Sequence, residues 1–168
     1  KVENRLNEMF KNVFNASVDL LPSEAIVETL ATFINCVLCS FINKPEKSVK
    51  ELLNTEIDMG LLQSAKILNH FNFSSVSDFL INNKKIIIQK TAVFEYHILK
   101  TILLFNFNEF VSVLKGKNNE EFKNLVINTI KNENFQKLID KHIENINKKL
   151  LPRSVECTFR MTSVQLDI

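Results

Sequence analysis

The sequence predicts an all-α fold, a compact multi-helix domain with one β-strand extension at its C-terminus. Two Gly and three Pro in 168 residues leave few turn-forming residues, which disfavours a many-stranded sandwich or barrel. A hydrophobic fraction of 45% suits a packed core, because a chain this apolar can offset the entropy lost on folding. Apolar residues recur at helical spacing up to about Leu150 and alternate with polar residues after it. We therefore expect an α-helical domain over residues 1–150, and a linker with a β-strand over residues 151–168.

Most of the predicted helices are short and amphipathic. They cover residues 2–14, 46–53, 61–71, 74–83, 106–116 and 119–150. Pro45 and Asp58 are each predicted to begin a separate helix, because proline suits the first helical position and aspartate suits the N-cap. Pro152 is predicted to end the last helix, since proline cannot continue the hydrogen-bond ladder.

Two stretches are more apolar than the others. Residues 24–42 follow an N-cap at Ser23 and are apolar on nearly every side, which predicts a central, buried helix. Residues 85–105 are equally rich in Ile, Leu and Phe, but Glu95, Lys100 and other polar residues interrupt them. Charges at this density make insertion into a bilayer costly, so we expect a buried core helix and no membrane span.

The charge balance and the cysteines indicate which partners and which cellular compartment to expect. The chain has 21 basic and 19 acidic side chains, a net charge of +2, and no basic block. A nucleic-acid partner is therefore not expected, because such binders usually carry a basic patch or tail. Three cysteines, an odd number outside any disulfide-like framework, suit a reducing compartment, so the predicted location is the cytoplasm.

No residue pattern in the chain predicts catalysis, a metal or a cofactor. Cys36 and Cys39 form a C-x-x-C, but the pair lies inside an apolar helix rather than at a helix N-terminus, which favours buried structural cysteines. His97 has no accompanying catalytic motif and is interpreted as a packed core histidine. Two glycines are too few for a phosphate-binding loop. We therefore expect a protein that is not an enzyme.

The C-terminal segment carries the predicted interaction site. Apolar and polar residues alternate from Val155 to Met161, and the apolar positions resume with the opposite parity at Val164, which predicts a strand with a bulge near Thr162 and Ser163. Its backbone groups need a partner, either residues beyond Ile168 or a strand of another chain. The alternatives are a disordered tail or a strand laid on the helical body. The predicted interface residues are Val155, Phe159, Arg160, Met161, Val164 and Leu166.

Residues 106–168 resemble the COMM-domain proteins. In that family a helical N-terminal domain passes through a short linker into a strand with a Trp-Arg-hydrophobic-Asp signature. Here Leu151-Pro152 precedes Phe159-Arg160-Met161-Thr162, in which Phe stands for Trp and Thr for Asp. The resemblance implies a non-enzymatic adaptor that assembles with sibling COMM proteins and with coiled-coil subunits in an endosomal cargo-recycling assembly.

Two functional hypotheses follow. The first is a protein-protein interaction module, a homo- or hetero-oligomer that joins its partner through the C-terminal strand. The second is a helical ligand-binding protein or small enzyme, in which helices 24–42 and 86–105 line an apolar pocket with Cys36, Cys39 or His97 near its mouth.

Overall fold

The chain was analysed as a computed structural model. The structure describes residues 7, 8, 10, 14, 20–42, 47–81, 87, 88, 92–116, 118–156, 158, 159 and 162–164. Most of these residues are helical and none of them forms a β-strand, so the predicted all-α class is confirmed.

The helices of the described residues are arranged around one long central helix. In chain order they are α1 (Pro22–Ile42), α2 (Val49–His70), α3 (Val76–Ile81), a π-helix (Phe94–Leu99), α4 (Lys100–Phe105), α5 (Phe107–Gly116), α6 (Asn119–Lys131), α7 (Glu133–Asn147) and α8 (Arg153–Glu156). The central helix is α2, which packs against α1, α4, α7 and the π-helix. Most surfaces of the body are therefore presented by helices that rest on α2.

Helix α2 is one continuous helix, and the prediction of separate helices starting at Pro45 and Asp58 is wrong for the described residues. A capping box begins it: the Ser48 hydroxyl accepts a hydrogen bond from the Glu51 N–H, and the Glu51 carboxylate accepts one of 2.8 Å from the Ser48 N–H. Asp58 is exposed inside the helix. Gly60 lies within the helix without interrupting it. Because Gly60 has no side chain, Thr101 of α4 can approach α2 closely at this position.

Phenylalanine rings fill the centre of the body. The Phe14 ring lies 4.9 Å from that of Phe94 and 5.8 Å from that of Phe79, measured between centroids. Phe73 meets Phe79 edge to face at 5.2 Å. Aromatic pairs at these distances add to the free energy gained from burial alone. The cluster therefore joins the N-terminal part of the chain to α3 and the π-helix.

The predicted core helix over residues 85–105 is confirmed only in its second half. Residues 94–105 are helical and mostly buried, but Ile87 and Ile88 are not helical. Three consecutive isoleucines, residues 86–88, disfavour a helix, because β-branched side chains are restricted at χ1. Residues 82–86 and 89–91 lie outside the described residues.

The predicted helical region 119–150 is divided at Asn132. This residue has an extended backbone, and its side chain accepts a hydrogen bond of 3.1 Å from the Phe135 N–H. It therefore ends α6 and caps α7 at once, as asparagine does well at an N-cap. Helix α7 ends at Asn147, before Pro152, and Lys149 then adopts a left-handed backbone with φ of 54°.

The predicted C-terminal strand is wrong at Val155 and Glu156, which belong to the single helical turn of α8. Residues 158, 159 and 162–164 form no strand either. The backbone groups of this segment bond to side chains of the helical body instead of a neighbouring strand, as described below. Cys157, Arg160, Met161 and Leu166 lie outside the described residues.

Candidate functional site

Helix α1 faces outward with large apolar side chains. Val27 is 60% exposed, Ile34 56% and Phe41 80%. These positions share one face of the helix, which we call the outer stripe: Val27, Ala31, Ile34, Leu38 and Phe41. The prediction that α1 is buried on all sides is therefore wrong, because a helix apolar all round does not reveal which of its faces meets the core.

The inner face of α1 consists of small side chains. The buried residues are Pro22, Ala25, Thr29, Thr32, Cys36 and Cys39. Small side chains let α1 approach α2, α4 and the π-helix closely. The Thr29 hydroxyl donates a hydrogen bond of 2.6 Å to the Ala25 carbonyl, so this polar group is satisfied within the helix. Helix α1 thus fully buries only small residues and packs Ile26, Leu30 and Phe33 half-buried against the body, while its outward face carries large apolar residues where an ordinary surface helix is polar.

The outer stripe has the spacing of a helix-packing seam. Its members follow one another at intervals of four, three, four and three residues, which keeps them on one face over about 21 Å at 1.5 Å per residue. Glu24 and Glu28 lie at the N-terminal end of α1. Lys47 lies beside the C-terminal end, because its carbonyl accepts a hydrogen bond of 3.2 Å from the Ser40 hydroxyl. Acidic residues therefore lie near the N-terminal end of the stripe, and the backbone of Lys47 lies near the C-terminal end of α1.

Helix α1 also satisfies the length and hydropathy criteria for a membrane-spanning helix, with a mean hydropathy of 1.9 and only 28% of the tested window buried. The π-helix and α4 satisfy them together with α5, across a bend of 97°. Among the residues that the structure describes, these are the helices that meet the criteria for spanning a membrane.

The C-terminal segment lies on the body beside the inner face of α1. The carboxylate of Glu56, a residue that is only 1% exposed, accepts hydrogen bonds of 2.7 Å from the Val164 N–H and 2.9 Å from the Ser163 N–H. The Asn35 side chain donates one of 2.9 Å to the Val164 carbonyl. Both backbone groups of Val164 are therefore satisfied by side chains of α1 and α2.

Lys66 holds the segment at a second point. Its ammonium group donates hydrogen bonds to the carbonyls of Val155 and Thr158. The same group lies 5.2 Å from the centroid of the Phe159 ring, a cation-π geometry. Two charged side chains of α2, one of each sign, thus bind the backbone of residues 155–164.

Cys36 and Cys39 are buried, as predicted, and neither forms a disulfide. Val164 packs against both of them. Burial, reinforced by the negative charge of Glu56, raises the pKa of the Cys36 thiol to about 12. A thiol this hard to ionise is a poor nucleophile and a poor metal ligand. No group of three or more potential metal ligands occurs among the described residues.

His97 is also buried, at 9% exposure. Burial, with smaller contributions from Lys100 and Lys66, lowers the pKa of its imidazole to about 4. The ring is therefore neutral near pH 7, and it faces Phe159 at 5.8 Å between ring centroids. His97 lines a cavity together with Ile67 and Phe71 of α2, whereas Cys36 and Cys39 pack against Val164, and the predicted pocket between residues 24–42 and 86–105 stays a prediction.

The predicted interface residues differ in their surroundings. Val164 is buried and Val155 is half-buried, whereas Phe159 is 54% exposed.

Sequence reasoning missed the outer stripe, Glu56 and Lys66. The heptad spacing in residues 27–41 was a readable signal for the stripe, but nothing in the sequence pairs Glu56 or Lys66 with a segment about 90 to 110 positions later.

Searches against known protein families, characterised proteins and solved structures find no match to this chain.

Proposed function

We propose that the chain is a non-enzymatic protein-protein interaction module that docks a second copy of itself on the outer stripe of α1. The single observation that carries the proposal is the exposed row of large apolar side chains on the outward face of α1, a helix whose fully buried residues are small. Fully burying one Val, Leu, Ile or Phe side chain contributes about 1.5 to 3 kcal/mol. A partner that covers the stripe gains this for several side chains at once, which offsets the entropy lost on association.

The partner helix is antiparallel in this proposal. In that orientation Glu24 and Glu28 of one copy lie away from the same carboxylates of the other copy, which avoids repulsion between like charges. The two helix dipoles also oppose each other, which is the favourable arrangement. Ile34 is the middle member of the stripe, so the two-fold axis passes near it and Val27 of each copy lies against Phe41 of the other.

A lipid surface is the competing occupant of an apolar face, and two observations favour a helix over it. The regular alternation of four- and three-residue steps is the pattern of knobs-into-holes packing between helices. The carboxylates of Glu24 and Glu28 flank the stripe, and an anionic membrane surface repels them.

The proposal moves the interaction site away from the C-terminal segment. A segment that adds a strand to a partner must offer free backbone N–H and C=O groups. Here the carbonyls of Val155 and Thr158 and both backbone groups of Val164 are bonded to the chain's own side chains. The segment therefore serves the fold in this proposal, and α1 offers an exposed apolar face to a partner.

The resemblance of residues 106–168 to COMM-domain proteins extends the proposal to a cytoplasmic, endosome-associated adaptor. This extension rests on the resemblance alone. Co-purification with sibling COMM proteins from cells supports it, and a chain that associates only with itself there contradicts it.

Sedimentation velocity tests the docking proposal with the purified chain. The expected result is a dimer whose fraction rises with protein concentration, and a monomer for Ile34→Glu, because a charge at the centre of the stripe cannot be buried unpaired. Ile81→Glu is the matched control, since Ile81 is 78% exposed and lies on α3 instead. It is expected to remain a dimer with an unchanged helical circular-dichroism signal.

Three outcomes contradict the proposal. The first is a wild-type chain that stays monomeric at high concentration, and the second is an Ile34→Glu variant that dimerises like the wild type. The third is a monomer that sediments with neutral lipid vesicles through the same stripe, which assigns the face to a membrane.

A further inference from the structure

A cavity of about 400 Å³ lies beside the C-terminal turns of α2, and no residue of the outer stripe is among the described residues that line it. The last turns of α2 contribute Ile67, His70 and Phe71 to its wall. Ile88 and Val93 line the opposite side, and Phe159 of the C-terminal segment lies at its edge. The size and the mostly apolar wall are those of small-molecule sites, which usually measure about 300 to 1,000 Å³ and contain a few polar groups.

A buried polar group in the wall of this cavity is the imidazole of His97, which belongs to the π-helix. Short π-helical segments are rare and occur often at functional sites. The low pKa of His97 keeps the ring neutral near pH 7, and a neutral imidazole offers one N–H donor and one acceptor. One wall of the apolar cavity thus carries a hydrogen-bond donor.

Phe159 closes part of the opening. Its ring lies 5.8 Å from the His97 ring and 5.2 Å from the Lys66 ammonium group. The carbonyl of Thr158, the preceding residue, is held by the same ammonium group. Lys66 therefore positions the aromatic edge of the cavity, while 54% of Phe159 remains exposed and free to contact a ligand.

The charges around the cavity favour an anion. None of the described residues that line it is acidic, and two of them are histidines. Lys66 and Lys100 lie close enough to His97 to lower its pKa by repulsion. The nearby carboxylates of Glu56 and Glu95 accept hydrogen bonds from the backbone N–H groups of Val164 and Leu21, on other parts of the body.

We propose that this cavity binds an amphiphilic carboxylate, whose apolar chain or ring fills the space between Ile67, Val93 and Phe159 and whose carboxylate accepts the His97 N–H. The site is separate from the outer stripe and does not depend on the proposed dimer. A carboxylate brought next to His97 is also attracted by the positive charges of Lys66 and Lys100, which adds to its affinity relative to a neutral ligand.

A tryptophan reporter tests the proposal, because the chain contains no Trp. Phe159→Trp places one indole at the edge of the cavity and keeps an aromatic ring next to Lys66. Titration with decanoate is expected to shift its fluorescence to shorter wavelength as water leaves the cavity. Decanol, which has the same chain and no charge, is expected to bind roughly tenfold more weakly, since a hydrogen bond to a charged group is stronger than one to a neutral group.

The control reporter is Phe41→Trp, at an 80% exposed position on the outer stripe. It is expected to show no saturable response to decanoate. Val93→Phe in the Phe159→Trp chain fills the cavity and is expected to abolish the response while the helical signal is retained.

The proposal is overturned if a folded Phe159→Trp chain responds to neither ligand, or if decanol binds as tightly as decanoate. It is also overturned if the Phe41→Trp chain responds as strongly as the Phe159→Trp chain. An unchanged response after Val93→Phe is added, in a chain that remains folded, likewise places the ligand outside the cavity.

Discussion

The carboxylate of Glu56 in α2 accepts a hydrogen bond of 2.7 Å from the backbone N–H of Val164, 108 positions later in the chain. The same oxygen accepts hydrogen bonds from the N–H of Ser163 and the hydroxyl of Thr162. A carboxylate at 1% exposure is costly to bury unless such donors replace its water. Because of these hydrogen bonds, the C-terminal segment is part of the folded body and is not a strand whose backbone lacks a partner.

Removing the charge of Glu56 is expected to loosen this segment. Glu56→Gln keeps the shape of the side chain but replaces an ionised acceptor with an amide. We expect the free energy of unfolding to fall by about 1.5 to 3 kcal/mol, the usual value for hydrogen bonds to a charged group. Chemical denaturation measures this loss, and hydrogen exchange at the amides of Ser163 and Val164 is expected to accelerate.

Glu144→Gln is the control for that experiment. Glu144 is exposed and pairs only with Lys148 on the surface of α7, so no measurable loss of stability is expected. Equal effects of the two substitutions would show that the buried hydrogen bonds of Glu56 contribute nothing to stability.

Gly60 is expected to be intolerant of a side chain. A Cβ atom at this position would lie 2.3 Å from the Thr101 Oγ1 atom, which itself donates a hydrogen bond of 2.6 Å to the His97 carbonyl. Gly60→Ala is therefore expected to lower the free energy of unfolding by about 1 to 3 kcal/mol, although alanine is the better helix former. Thermal unfolding is the measurement.

Two further variants check the cause. Thr101→Ala in the Gly60→Ala chain removes the clashing hydroxyl and is expected to recover part of the loss. Gly116→Ala meets nothing closer than Glu121 at 3.5 Å and is expected to leave stability unchanged. A Gly60→Ala chain as stable as the wild type would contradict the close contact between α2 and α4.

His97 is expected to make stability depend on pH. Its pKa is about 4 in the folded chain and 6.5 ordinarily, so between these values the unfolded chain binds the proton and the folded chain does not. The free energy of unfolding is therefore expected to fall as pH is lowered from about 7 to about 4, by on the order of 3 kcal/mol. Burial lowers the pKa of His142 as well and adds to the fall, whereas burial raises the pKa of Asp140 and opposes it at the acid end.

Substitution isolates the contribution of His97. Denaturation of His97→Gln at a series of pH values is expected to give a shallower slope than the wild type over that range. His70→Gln, at an exposed position, is expected to keep the wild-type slope. Parallel slopes for the wild type and His97→Gln would show that His97 takes up its proton equally well in both states.

Asn132 is expected to be needed at the junction of α6 and α7. Its side chain accepts the Phe135 N–H, so Asn132→Ala leaves that donor without its cap. A loss of about 1 kcal/mol is expected in chemical denaturation, whereas Asn132→Asp is expected to keep the cap. Asn134→Ala, at an exposed position in the first turn of α7, is the control. An Asn134→Ala loss as large as that of Asn132→Ala would rule out a specific capping role.

The sequence alone predicts the helical class and several local features, because helical spacing, capping residues and the scarcity of Gly and Pro are local signals. The burial of Cys36 and Cys39 and the end of α5 at Gly116 follow from such signals. The open face of α1 could not be predicted, since nearly every side of that helix is apolar and only tertiary packing selects the inner one.

The prediction of a strand in the C-terminal segment is wrong for a different reason. Alternation from Val155 to Met161 is a local pattern that favours a strand, but Lys66 binds the backbone within this stretch and Glu56 binds the backbone just after it. Contacts between residues about 90 to 110 positions apart override a local preference, and spacing within the segment does not reveal them.

Cross-linking at the centre of the outer stripe tests the central claim most directly. Ile34→Cys with Cys157→Ser leaves Cys36 and Cys39, which are buried, so a short bis-maleimide reacts at the new exposed thiol. In the antiparallel dimer the two introduced thiols lie near the axis, and rapid formation of a covalent dimer is predicted. Ile81→Cys in the same background, whose new thiol lies on α3, is predicted to cross-link slowly. Equal rates for the two variants would contradict docking through α1.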